Sequence, residues 1–234
     1  MSQSDASADP VLWLKKIVLL RRISGDAASI IREITFRRGL NVILSQGGRN
    51  SSGHSVGKTM LTRLIRYTLG ERYPGDRKTK EQLAENFEEG GVVAIWSVNG
   101  VDWSVLCPFV PEMDRRACSK QTDDWNELLT ESDETRGHDV FLDAVETAVC
   151  GDRPPLHLGP GRLAEWSDVL PWLSRDVGCH YRGTFAWRDS HANIGRIGSQ
   201  RDNALVAQWL LGLWSAKWDK PRHRRIQMPL RNLA

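Results

Sequence analysis

The chain has no closely spaced cysteine pair, no long apolar run and no strong excess of either charge. Its four cysteines, Cys107, Cys118, Cys150 and Cys179, lie far apart, with no C-x-x-C spacing. That pattern excludes a zinc ribbon or a thioredoxin-like redox pair and points to reduced, structural thiols in a cytosolic protein. No apolar stretch approaches the length of a membrane-spanning helix. The opening "MSQSDASADP" is polar and lacks signal-peptide character, so a cytoplasmic location and no membrane partner are expected. A formal charge of +3 over 234 residues is too near neutral to announce a nucleic-acid surface by itself. Cys179, His180 and His191 do not make a tetrahedral zinc site, because no fourth ligand stands at suitable spacing.

Tryptophan, in contrast, is abundant. Ten residues of this type is several times ordinary usage, and Trp favours cores and interfaces. With 40% apolar residues the chain can bury a substantial core, in one large domain or in one domain with an appendage.

Residues 1–10 read as a disordered leader. Trp13–Ile23 is β-rich around Ile17–Leu20. Ala28–Gly39 partly alternates, with Ile30, Ile34 and Phe36 on one side. Leu40–Ser45, "LNVILS", is a nearly continuous apolar run that suits a strand buried on both faces. A glycine- and serine-rich turn segment follows. Met60, Leu61, Leu64, Ile65 and Leu69 then recur at helical spacing, and Gly70 marks the stop. Val92–Phe109 reads as a hairpin about Asn99-Gly100, a dipeptide that accepts positive φ at both turn positions. Residues 112–139 are acidic and polar, and predict a loop or a partly ordered insertion with a solvated charged face. Val140–Cys150 is a short amphipathic helix. Arg162–Asp176 predicts two helical pieces, the second opened by Pro171. Asp202–Trp218 predicts a helix apolar on nearly all sides, either buried in its own domain or waiting for a partner. The tail, 219–234, is basic and aperiodic.

The segment Ser52-Gly53-His54-Ser55-Val56-Gly57-Lys58-Thr59 comes close to G-x-x-x-x-G-K-[ST], with Ser52 in place of the first glycine. A strand before such a loop and a helix after it form the context in which the pattern binds nucleotide phosphates. Glycines let successive N–H groups face phosphate oxygens, and the helix start adds unsatisfied donors and a positive dipole end. Lys58 is expected on the β/γ-phosphates and the Thr59 hydroxyl on Mg²⁺, making ATP and Mg²⁺ the expected cofactors. His54 is a second phosphate contact or simply a solvated loop residue. Hydrolysis needs more: an acidic residue at a second strand end and a group that positions water. No apolar run ends in such an acid, and Asp123, Asp124 and Asp176 are weak substitutes.

The stretch "LRRISGDAASIIREITFRRGLNVILSQ", continued by "GHSVGKTMLTRLIRYTLGE", resembles the N-terminal ATPase lobe of the SMC/RecN-like branch of ABC-type ATPases. The likeness extends to the coiled-coil AAA-type ATPases of bacterial DNA-maintenance and defence (ABC-three-component-like) systems. It is tight at the loop and loose over roughly residues 13–215, where "LPWLSRD" and "FAWRD" (170–189) contribute. The resemblance implies an α/β P-loop fold: antiparallel strands lead into a strand–loop–helix unit, and a mainly helical region follows. It places the lobe at 11–218, with the acidic insertion at 112–139. In such proteins a second half of the head supplies the signature serine motif, the acidic strand and a switch histidine. Gly57, Lys58 and Thr59 match the family and Ser52 departs from it. The family's magnesium-contacting glutamine has no match, for there is no Gln from Thr122 through Ser199.

The resemblance therefore implies Mg-ATP binding, with hydrolysis dependent on a protein partner or a missing C-terminal half. DNA is a candidate partner through Arg37, Arg38 or the basic tail (Lys217, Lys220, Arg222, His223, Arg224, Arg225, Arg231), which can equally be solvated charge. Two alternatives remain open: a non-catalytic fragment or interaction module, and a self-sufficient small P-loop NTPase or kinase.

Overall fold

The structure, a computed structural model, describes residues 10–43, 57–75, 77–110, 116–129, 135–151, 153–159, 162–173 and 200–215. The chain divides into two compact units, Met1–Val149 and Cys150–Ala234. The fold is α/β, built in the first unit on a six-stranded antiparallel sheet. Among the described residues no helix is long and apolar enough to cross a membrane.

In the first unit β1 (Leu12–Leu20) lies between β2 (Ile30–Thr35) and β3 (Gly91–Val98). The sheet continues through β4 (Val101–Pro108), β5 (Cys118–Lys120) and β6 (Arg136–Gly137). Asn99 and Gly100, at φ 48° and 82°, make the two-residue turn of the β3–β4 hairpin, as the dipeptide predicts. Every residue of β3 is buried, which is why "GVVAIWSV" shows no polar alternation.

Each face of the sheet has its own cover. On one, Val18, Leu20, Val93, Ile95 and Leu106 pack with Trp125 and Leu128. These last two residues come from a 3-10 turn, Trp125–Leu129, inside the stretch predicted as a solvated insertion. The described part of that stretch is thus core structure as well as charge, because two apolar side chains among the acids suffice to anchor it. The other face carries α1 (Lys58–Thr68), where the Trp96 indole N–H donates to the Thr68 hydroxyl at 3.2 Å.

The start of β2 departs from simple alternation. A register shift between Leu19 and Leu20 sets Leu20 opposite Ile30 and Leu19 opposite Arg32, leaving Ile31 as the extra residue. Ile30 consequently packs with the Val18 face, while Ile34 lines the α1 face. The sequence pattern had put both on one side.

The larger correction concerns Leu40–Ser45. Its described residues form no strand, and Leu40, Val42 and Ile43 are 80%, 65% and 40% exposed. The sheet ends at β2, so no neighbouring strand among the described residues pairs with this segment or covers it.

Helix α2 (Arg77–Asn86) buries only Thr79 and Leu83 and so carries no strong apolar signature in the sequence. Helix α3 (His138–Cys150) begins two residues before its predicted start. Phe141 is fully buried against the Trp103 ring and stacked on His138. The His138 Nε2–H donates to the Thr68 carbonyl at 2.9 Å.

Burial holds this imidazole below its ordinary value of 6.5, with the Thr68 bond and Asp139 opposing more weakly. The unfolded chain therefore takes up the proton at higher pH than the folded one. Stability contributed by neutral His138 is complete above 6.5 and is lost as pH falls from there through the folded value. His138→Gln keeps a donor for Thr68 without titrating, and should flatten the acid slope of stability in denaturant titrations below pH 6.5. An unchanged slope would assign the acid sensitivity to other groups.

In the second unit β7 (His157–Gly159) pairs with β8 (Arg162–Leu163), and α4 (Trp166–Leu173) packs on α5 (Gln200–Leu210). Pro171 lies inside α4 rather than opening a second piece. The bond it forgoes is the one to Ser167, an exposed residue. Helix α5 stops well short of Trp218. Gly212, at φ 69°, ends it, with the Gly212 N–H on the Trp209 carbonyl and the Leu213 N–H on the Gln208 carbonyl. Val206, Ala207 and Trp209 are buried, whereas Leu211 and Leu213 fall beyond the helix and are exposed. The apparent all-round apolar helix is a one-sided helix followed by an apolar turn.

Of the tryptophans, Trp96, Trp103, Trp125, Trp166 and Trp209 are buried, in keeping with the core role expected of them. Cys107, Cys118 and Cys150 are not joined in disulfides, and Cys107 and Cys150 are buried.

Candidate functional site

The site begins at Gly57, whose left-handed φ of 75° turns the chain into α1 and whose α-carbon has open space where a side chain would stand. A glycine is needed there for its backbone angle rather than for want of room. The Leu61 N–H bonds the Gly57 carbonyl at 2.8 Å as the helix begins. In such a first turn the preceding amides have no partner within the helix. Lys58 is exposed and Thr59 partly so, both on this turn. No acidic side chain occupies the first turn, so nothing there opposes the attraction of the helix start for an anion.

Ser52, Gly53, His54, Ser55 and Val56 lie outside the described residues, as do Cys179, His180, His191, Asp176 and the basic tail. The structure thus brings together three of the eight residues expected at the phosphate site: Gly57, Lys58 and Thr59. These fit a triphosphate and its metal as far as they go. They offer a helix start, a cation and a hydroxyl, and Mg²⁺ commonly takes few protein ligands beside phosphate oxygens and water.

The opposite end of α1 is anchored hard. Gly70, at φ 94°, ends the helix, with the Glu71 N–H on the Arg66 carbonyl and the Gly70 N–H on the Tyr67 carbonyl. In this helix stop the two flanking side chains usually make an apolar contact. Here they are Arg66 and Glu71, a buried bidentate ion pair with contacts of 2.7 and 2.9 Å. The Tyr67 hydroxyl donates to the Pro108 carbonyl at 2.7 Å, and burial keeps the phenol protonated far above its ordinary range. Helix α1 is therefore a rigid support with Lys58 and Thr59 at its N-terminal end.

The approach from β2 is also ordered. The Asn41 amide donates to the carbonyls of Arg37 and Gly39 at 2.7 and 3.0 Å and accepts from the Arg37 N–H at 3.0 Å. Gly39, at φ 90°, completes this turn. Arg37 and Arg38 are exposed on it, Arg38 with its guanidinium 5.6 Å from the Trp13 ring centre.

Asp123 and Asp124 are exposed, and the Asp124 carboxylate accepts from the Asn126 N–H at 3.0 Å, which is a turn-forming role. Among the described residues no group of three or more His, Cys, Asp or Glu side chains stands close enough to hold a metal ion.

A groove of about 260 Å³ runs between α1 and the β1–β2 face, with Gly57 and Lys58 among its lining residues. Alternation of Ile17 and Leu19 signals an apolar face there, but only the fold sets it beside Lys58. The chain matches no protein-family model, no curated protein and no solved structure.

Proposed function

We propose that the chain is a nucleotide-binding lobe that takes Mg-ATP at residues 52–59 and depends on a second polypeptide half for hydrolysis. The observation that carries the proposal is Lys58-Thr59 at the N-terminal end of a firmly anchored helix, directly after a left-handed glycine. Lys58 neutralises phosphate oxygens, the first-turn amides orient them, and the Thr59 hydroxyl serves the metal. The bound metal neutralises charge on the phosphates.

The need for a second half is supported by Leu40, Val42 and Ile43, three consecutive or near-consecutive aliphatic side chains left exposed on the approach to the loop. An apolar run of this kind gains most from a neighbouring chain that covers it. The resemblance to SMC/RecN-like heads adds the setting, DNA maintenance or anti-phage defence.

The test is Mg-ATP binding by the full chain, read calorimetrically, beside Lys58→Ala. Wild-type binding weakened at least about tenfold by the substitution, a difference of roughly 1.4 kcal/mol, is the expected result. Equal binding by both proteins would remove the phosphate site. Turnover by the isolated chain would instead favour a self-sufficient enzyme.

A further inference from the structure

The corner between α1 and α2 gathers positive charge around one aromatic ring. The Arg72 guanidinium carbon lies 5.2 Å from the Tyr73 ring centre, and the Lys80 ammonium 4.3 Å from the same centre. Arg63 of α1 reaches across to α2, where its Nη1–H donates to the Thr79 hydroxyl at 3.2 Å. Gly75, at φ 115°, admits it, since a β-carbon there would stand 3.1 Å from the Arg63 side chain. Arg77 and Lys78 open α2, exposed like Arg72. Arg77 meets Glu81 one turn on at 2.8 Å with both side chains largely in water, a kind of pair that contributes little and yields to a competing anion. Against these five cations the same stretch of sequence sets Asp76 and Glu81, so a positive excess remains wherever the two acids stand.

Helix stability does not account for this arrangement. The dipole of a helix favours acids in its first turn and cations in its last. Helix α2 reverses both: it opens on Arg77, Lys78 and Lys80 with no acid in the first turn, and it closes through Glu81 and Glu85 with no base in the last. Gathering Arg72 and Lys80 on one ring also sets two like charges near each other, a repulsion that an anion beside them would relieve.

We infer that this corner holds the phosphodiester backbone of a nucleic acid, by charge and without reading sequence. Arg and Lys are the side chains that pair with phosphate oxygens, and Tyr73 holds two of them in place, so that less side-chain freedom is lost on binding. An anionic membrane is the other extended polyanion, but a helix that lies on one sets exposed apolar side chains beside its cations. From Lys58 through Asn86 no large apolar side chain is exposed. The inference stands apart from the nucleotide reading, for Arg72 and Tyr73 follow the C-terminal end of α1 whereas Lys58 opens it.

The test is binding of the full chain, without nucleotide, to a short fluorescent DNA duplex of mixed sequence, read by anisotropy across a salt series beside phosphatidylserine vesicles. Affinity for the duplex should fall steeply with salt, and a duplex of unrelated sequence should bind within about threefold. Lys78→Gln should reduce the slope of log affinity against log salt by about one. Lys78→Glu should bind at least about tenfold more weakly than wild type yet unfold at a higher denaturant concentration, because it places an acid in the first turn of α2. A misfolded variant does not give that pair of results. Lys58→Ala should bind the duplex as wild type does. No duplex binding by wild type would overturn the inference. Equal binding by wild type and Lys78→Glu would also overturn it, by assigning the contact to other cations such as the tail. Binding to vesicles without binding to the duplex would overturn it in favour of a membrane. A loss in Lys58→Ala as large as in Lys78→Glu would place the strand at the phosphate loop, against the corner.

Discussion

Glu71→Ala should lower the stability of the chain by about 3–5 kcal/mol, a large share of what holds a typical domain folded. Glu71 and Arg66 are both buried and joined by two hydrogen bonds. Removing the carboxylate leaves a guanidinium out of water without its counter-charge, and that penalty exceeds the attraction lost. The pair also occupies the two positions that normally stabilise such a helix end by apolar contact. A double replacement, Arg66→Met with Glu71→Leu, should therefore recover most of the loss by restoring that contact. Chemical denaturation of wild type, Arg66→Met, Glu71→Leu and the double variant closes a double-mutant cycle, and Glu71→Ala measured beside them gives the first effect. Glu71→Ala within about 1 kcal/mol of wild type would mean that water reaches Arg66 and that the end of α1 is looser than described.

The sequence was most legible where a single residue type settles local geometry. Asn99-Gly100 gave the hairpin because both turn positions take positive φ. Gly70 gave the end of α1 because that stop is left-handed. Gly212 carries the same signal, but the apolar residues on either side of it made the helix look longer than it is. Periodicity failed where covering depends on distant chain. Leu40–Ile43 has the composition of a buried strand, yet composition does not say which strand lies beside it, and the described sheet ends at β2. Trp125 and Leu128 were hidden among acids for the opposite reason, since a 3-10 turn needs only two inward side chains to join a core.

The candidate site divides in the same way. Gly57-Lys58-Thr59 can be read from the motif, because the pattern describes contiguous backbone. The groove could not be, because its walls come from β1, β2 and α1, and a bulge at Ile31 decides which β2 side chains enter it. The Asn41 turn was likewise invisible, being a matter of where one amide finds its partners.

Trp96→Ala is the second large effect to expect, about 3–5 kcal/mol, through the cavity left between β3 and α1. Trp96 is 4% exposed, sits opposite Trp103 in the hairpin and donates its indole N–H to the Thr68 hydroxyl. That hydroxyl in turn donates to the Ile65 carbonyl at 2.8 Å, so the tryptophan ties the last turn of α1 to the centre of the sheet. Trp96→Phe separates the two contributions. It keeps much of the apolar volume and loses the hydrogen bond, so it should cost less than alanine, though the smaller ring leaves some space of its own. Thermal or denaturant unfolding of the two variants gives the ordering, and an alanine variant no less stable than phenylalanine would mean that the site collapses around the missing ring. The consequence reaches the far end of the helix. If α1 supports Lys58 and Thr59 by being fixed to the sheet, Trp96→Phe should weaken Mg-ATP binding less than Lys58→Ala while lowering stability more. A variant that lost nucleotide and kept its stability would place Trp96 in the binding site itself, against its position beneath the last turn of α1.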